Sequence, residues 1–139
     1  MTDDPRLGLS VTHRRYVPYA HAHYAGDLVD GAYVLGLFGD VATEVCIRTD
    51  GDEGLFASYS DVQFRAPVRA GDVVEAEATV TRVGSRSRVL SLVARVVCRG
   101  AAAGAGDLTA GPSAAVVLDP PIVAVTAVGT VVVPVATTT

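Results

Sequence analysis

Lysine is absent from this chain: all eleven basic residues are arginine. No Schiff-base lysine and no phosphate-gripping P-loop lysine can therefore take part in its chemistry. Cysteine is scarce. Cys46 and Cys98 lie far apart, in no C-x-x-C pair and beside no Cys/His ligand spacing. Two buried, reduced thiols are expected rather than a metal centre. No apolar run reaches membrane-spanning length, because glycine, proline or charge interrupts each one. The first ten residues are acidic and polar, not charged and then apolar, so no signal peptide is expected. A surplus of positive charge is missing too. The net charge of −4 argues against a nucleic-acid partner, which would want a basic face. A cytoplasmic protein with no membrane partner is the expectation.

Half of the 139 residues are apolar, enough for one domain with a real core spanning 1–139. Residues 1–12 read as an N-terminal arm. His13 to Tyr19 suits a short edge strand ended by Pro18. Asp27 or Asp30 can cap a helix from about Leu28 to Arg48, followed by a solvated turn-rich loop, Thr49-Asp-Gly-Asp-Glu-Gly54. On a helical wheel Val34, Leu37, Phe38, Val41 and Val45 form one apolar stripe, while Tyr33, Gly36, Asp40 and Glu44 share another face. Gly36 and Gly39 lower helix propensity, which suggests a close neighbour there.

After the loop the period changes to that of strands. Leu55 to Arg65 alternates. So does Val73 to Val83, with Val74, Ala76, Ala78 and Val80 on one side. Gly84-Ser-Arg-Ser87 makes a hairpin turn into Arg88–Cys98, whose arginines are expected to be exposed. Residues 100–112 are rich in alanine and glycine and read as a flexible loop. Ile122 to Val135 fits a final strand broken at Gly129. The sum is an α+β domain, one long helix wrapped by an antiparallel sheet whose open edges favour pairing with a second copy.

Chemistry-bearing side chains crowd into Tyr19-Ala-His-Ala-His-Tyr-Ala-Gly-Asp-Leu-Val-Asp-Gly-Ala32, which holds two of the three histidines. The segment runs into the helix start, where free backbone N–H groups can receive developing negative charge.

These words resemble the hotdog-fold thioester enzymes. Asp61-Val-Gln-Phe-Arg-Ala-Pro-Val-Arg-Ala-Gly-Asp-Val-Val-Glu75, followed by Arg82-Val-Gly-Ser-Arg-Ser87, is similar to the acyl-CoA thioesterase pattern V-x-F-x-x-P-V-x-x-G-D, a strand, then V-G-x-x-S. A closer resemblance is to the 3-aminobutyryl-CoA and β-alanyl-CoA ammonia-lyases. It is carried by His23-Tyr-Ala-Gly-Asp-Leu-Val-Asp-Gly-Ala32, Leu37-Phe-Gly-Asp-Val-Ala-Thr-Glu44, Ile47–Phe56, Pro121-Ile-Val and Gly129-Thr-Val-Val-Val-Pro134. A related group that adds glycine to an enoyl thioester and then hydrolyses it is similar as well. The resemblance implies a homodimer or a larger homo-oligomer, up to a hexamer, with sites at the subunit interface. It implies no cofactor, and as partners an acyl-CoA or acyl-carrier-protein thioester and a small amine.

One departure stands out. Many hotdog thioesterases carry a catalytic acid on the helix seven residues after its glycine start. Counting from Gly31, that position holds Phe38. Adding or removing an amine at the β-carbon is therefore expected before plain hydrolysis, with hydrolysis, alone or after glycine addition, as the alternative. A non-catalytic thioester-binding protein is a third reading. The reaction needs an oxyanion site, a base for the incoming ammonium and an acid for the α-carbon. Gly31 and Ala32 N–H suit the first. His23 suits the second, unless it only hydrogen-bonds its loop. Asp40 is the candidate acid or a clamp for a cationic product, unless it lies on a solvated or interface helix face. Tyr19, His21, Tyr24, Asp27 and Tyr33 are the expected substrate contacts; packing aromatics and an N-cap are the plainer readings. Arg86 and Arg88 can reach phosphates only if they are not ordinary exposed hairpin arginines. No metal site is expected.

Overall fold

The structure is a computed structural model that describes residues 4–101 and 111–134. Of the loop expected over 100–112, residues 102–110 lie outside the described part, as does Val135 at the expected end of the last strand. The elements run β1 (Ser10–Tyr16), β2 (Ala22–Tyr24), β3 (Leu28–Val29), α1 (Gly31–Asp50), β4 (Leu55–Phe64), β5 (Val73–Val83), β6 (Ser87–Gly100) and β7 (Ala115–Val132). Strands β1, β5, β6, β7 and β4, in that order, form one antiparallel sheet, and β2 and β3 form a separate small hairpin.

The apolar stripe decides where the helix sits. Val34, Leu37, Phe38, Val41 and Val45 are all buried, joined by Ala42 and Cys46. They meet Val74, Ala76, Ala78 and Val80 of β5 and Leu90, Leu92, Ala94 and Val96 of β6 in one core. The alanines on those strands let the helix come close to the sheet. Phe38 is fully buried, so the helix position at which the sequence resemblance leads one to look for an acid is core. Truncating it to alanine would cost about 3–5 kcal/mol.

Several expectations need correction. Residues 4–9 of the expected arm are tied down: Gly8 N–H donates to the Val80 carbonyl at 2.9 Å and Val80 N–H to the Leu9 carbonyl at 2.9 Å. The helix begins at Gly31 rather than near residue 28, because Leu28 and Val29 pair with the neighbouring hairpin strand. Neither aspartate caps it. Asp30 occupies the N-cap position, but its side chain makes no capping hydrogen bond. Among the described residues nothing packs against Gly36 or Gly39: a Cβ at either would meet open space.

The last strand starts at Ala115 and runs unbroken through Gly129, which pairs with Tyr59 and Leu90. A Cβ at Gly129 would come within 2.5 Å of Phe56 Cζ. Gly129 is thus the seat of the Phe56 ring, which stacks on Tyr59 at 4.1 Å. Arg88 is not an exposed hairpin arginine: it is 2 % exposed and bonded to Asp50. Cys46 is buried, whereas Cys98 is only partly so; both are free thiols. Among the described residues no helix is long and apolar enough to cross a membrane.

Candidate active site at the start of the helix

The segment from 17 to 30 is a succession of tight turns sewn to the β4–β5 connection. Tyr19–His21 and Ala25–Asp27 are single 3-10 turns. The second is closed by left-handed backbone at Gly26 (φ 75°) and Asp27 (φ 61°). Val29 N–H donates to the Val68 carbonyl and Ala70 N–H to the Asp27 carbonyl, both at 2.9 Å. The facing turn is held in its own right by Asp72, which is 1 % exposed. It accepts from Arg69 N–H at 2.8 Å and from the Arg99 guanidinium at 3.0 and 2.9 Å. A buried, fully bonded ion pair of this kind fixes geometry more than it adds stability.

This frame leaves a cavity of about 380 Å3 at the N-terminal end of α1. Val29, Val34, Val68 and Val125 make its apolar wall. Phe64, at the end of β4, lays its ring over Gly31. A Cβ there would come within 2.5 Å of Phe64 Cε1, so any larger residue would have to push the exposed Phe64 ring aside. Tyr24, Asp30 and Arg65 are polar residues of the lining. Arg65 donates through Nε to Thr126 Oγ1 at 3.2 Å. Tyr33 N–H donates to the Asp30 carbonyl at 3.3 Å. Gly31 and Ala32 N–H, in the first turn, have no acceptor within the helix. The arrangement can take a small apolar chain in the wall and a polar, electron-rich oxygen at the helix start.

The residues singled out from sequence do not all meet here. Tyr24 and Gly31 line the cavity, and Ala32 follows at the exposed helix start. His23 is exposed, its ring edge-on to Tyr24 at 4.6 Å. His21 stacks at a tilt on Tyr33 at 4.5 Å. Burial pushes the Tyr33 hydroxyl above its usual range; Arg15 opposes this and Asp40 adds to it. Asp40 itself is exposed, further along α1. Tyr19 and Asp27 line a separate small cleft of about 50 Å3 with Arg69, Asp72 and Arg99. Among the described residues no three His, Cys, Asp or Glu side chains come together as metal ligands.

Three residues escaped the sequence reading. Asp30 reads as a cap, and Phe64 and Arg65 as ordinary strand positions. The V-x-F-x-x-P-V word contained the last two, but only the fold shows that Phe64 covers the helix start. His13, next to Arg14 and Arg15 in the sequence, is half-buried. Its Nε2 lies 2.8 Å from Glu44 Oε1, and its Nδ1 is buried with no hydrogen-bond partner among the described residues. Bonds from Arg48 and His13 hold the Glu44 carboxyl below its ordinary range.

Residues 28–97, half of the chain, match the thioesterase superfamily. The chain belongs to that superfamily. It is 50% identical over 113 residues to the 3-aminobutyryl-CoA ammonia lyase of Acetoanaerobium sticklandii, covering 81% of this chain and 85% of that protein. Among solved structures it is similar to the β-alanyl-CoA:ammonia lyase of Clostridium propionicum, with a TM-score of 0.83 and 32% identity over 91% of this chain and 86% of that one. A hexameric hotdog-fold thioesterase of Campylobacter jejuni matches with a TM-score of 0.68 at 17% identity, over 97% and 84% of the two chains. That likeness shows the fold alone. The thioesterase-superfamily chain thus has the hotdog fold expected from its sequence, and the resemblance to the ammonia-lyases holds.

Proposed function

We propose that this chain adds ammonia or a small amine such as glycine to the β-carbon of an α,β-unsaturated acyl thioester, or removes it. The observation that carries the reading is the half-identity to a 3-aminobutyryl-CoA ammonia lyase over four-fifths of the chain. The cavity fits that chemistry. The acyl chain lies along Val34 and Val125, and Gly31 and Ala32 N–H hold the thioester oxygen while charge collects on it. His23 takes a proton from the incoming ammonium, with Tyr24 between it and the cavity. Tyr19, His21, Asp27, Tyr33 and Asp40 lie outside this cavity and take no step in it. CoA or a carrier-protein arm brings the acyl group, in the cytoplasm and without a cofactor. Two copies pair along β4, an edge strand that exposes Leu55 and Phe64.

The experiment is direct. The protein is mixed with crotonyl-CoA and either ammonium or glycine, following enoyl absorbance, free thiol and product mass. A β-amino thioester without thiol release is expected. β-Amino acid plus thiol would mean that hydrolysis follows addition. Crotonate plus thiol, with no amine adduct, would reject the proposal. His23→Ala should abolish addition without unfolding the chain, and a fully active variant would remove His23 from the base role.

A further inference from the structure

We infer that Asp30 is the group that moves the proton at the α-carbon, an inference that rests on the lyase reading above. Removing an amine from the β-carbon begins with loss of the proton on the carbon beside the thioester carbonyl. The base must therefore stand next to whatever holds the carbonyl oxygen. Here the oxygen site is the N–H pair of Gly31 and Ala32, and the residue before them is Asp30.

Three observations single it out. It sits at the N-cap with extended backbone (φ −72°, ψ 157°), where an aspartate normally turns its carboxylate back onto the second or third N–H of the helix. It makes no such bond. Among the described residues its carboxylate makes no side-chain hydrogen bond or ion pair, as that of Asp27 does not either, whereas Asp72 is fully bonded. Lastly, among the described residues it is the one carboxylate that lines the cavity, where the polar groups near it, Tyr24 and Arg65, carry donors. An unmade cap serves the reaction twice. It leaves Ala32 N–H free for the thioester oxygen, and it leaves the carboxylate free to take a proton. His23 and Asp40 do not line this cavity.

In the elimination direction an Asp30 carboxylate oxygen takes the α-proton, the C–H electron pair forms a double bond to the carbonyl carbon, and the carbonyl π pair moves onto the thioester oxygen. As the oxygen pair re-forms the carbonyl, the enolate pair forms the Cα–Cβ double bond, the Cβ–N bond breaks and neutral ammonia leaves the β-ammonium group. Ammonia takes a proton from the His23 imidazolium. Protonated Asp30 returns a proton to His23 through water, so the α-proton ends on ammonium and both side chains are restored. Addition is the reverse.

The α-proton step can be read apart from amine chemistry. Butyryl-CoA has no β-leaving group, so deuterium entering its α-position from D2O reports that step alone. Elimination from 3-aminobutyryl-CoA, followed by enoyl absorbance, reports the whole reaction. Asp30→Asn keeps a good N-cap residue and breaks no bond of the fold, so circular dichroism should be unchanged. It is expected to slow both α-exchange and elimination by about 10²–10⁴-fold. Asp30→Glu should restore part of each, and His23→Ala should keep the exchange while losing the amine step. Wild-type exchange in Asp30→Asn, with the parent protein still eliminating ammonia, would overturn the role of Asp30 and leave the lyase reading standing. A parent protein that neither exchanges nor eliminates, and only releases thiol, would overturn the reading beneath it as well.

Discussion

The two ends of α1 are built on opposite plans. At the C-terminal end the chain turns back on a backbone cap and the carboxylate of the last helical residue is held by cations. Gly51 adopts left-handed backbone (φ 66°), and its N–H closes on the Ile47 carbonyl. Asp50 accepts from Arg88 at 3.0 and 2.7 Å and from Arg6 at 3.2 Å. Arg88 spends its remaining donor on the Gly84 and Ser87 carbonyls at 2.9 and 2.8 Å. A carboxylate at a helix C-terminus opposes the helix dipole, so Asp50 is tolerable only with these cations around it. At the N-terminal end the cap is unmade, the first N–H groups are open, and a cavity stands where a side chain would otherwise fill. One amphipathic stripe supports both ends. The difference teaches that a helix end held by its own chain serves stability, and an end left unsatisfied beside a cavity is available to a ligand.

The comparison breaks most sharply with one variant at each end. Asp50→Ala strands the buried Arg88 charge and should cost about 3–5 kcal/mol in denaturant unfolding. The folded fraction should keep its kcat/KM for elimination within twofold. A large loss of activity at unchanged stability would erase the division of labour. Gly31→Ala should do the reverse. The new methyl drives the Phe64 ring off its seat, and a displacement of that order at the reacting centre costs about 10²-fold in kcat/KM. Stability should change by no more than about 1 kcal/mol, since alanine improves helix propensity by about that much over glycine.

The same pair of variants should separate again at Cys46. Burial, with Asp50 adding to it, pushes this thiol up to about 11. It therefore reacts with a thiol reagent at pH 8 through opening of the fold. Cys98, partly exposed, should label first. Asp50→Ala should then speed Cys46 labelling by roughly the factor that its loss of stability implies, about 10²–10⁴-fold. Gly31→Ala should leave the rate near that of the parent. Equal acceleration by both variants would mean that the two ends open as one.

The frame was legible in the sequence where a period was clean. The alternation of Val73–Val83 and the stripe Val34–Val45 each have one apolar face, and both elements formed with that face inward. What escaped depends on contacts between residues far apart in the chain. Asp50-Gly-Asp-Glu53 looks like a solvated turn until Arg88, 38 residues later, is brought beneath it. Asp30 looks like a cap because its residue type suits one; that the bond is not made is a property of the folded site. His13 beside two arginines reads as surface, yet the other face of its strand meets Glu44 on the helix. Gly129 reads as a break until Phe56 needs the space.

The smallest effect expected concerns acid. Hydrogen bonds from Arg88 hold the Asp50 carboxyl below its ordinary value of 3.8, with burial opposing them. A carboxyl whose folded pKa is lowered stabilises the fold above its unfolded pKa, and that share is lost as pH falls through the folded value. Asp50→Asn lacks the share at every pH. The urea-midpoint difference between the parent and Asp50→Asn should therefore stay constant from pH 7 to about 5 and narrow progressively below about 4. Asp4, lowered to about 2 by Arg6, and Glu44 also lose their ionised forms in acid, but both are present in the two proteins and drop out of the difference. Parallel midpoint curves down to pH 3 would mean that Asp50 is not held ionised by Arg88. The C-terminal end would then owe its order to the Gly51 cap and the carbonyl bonds of Arg88 instead.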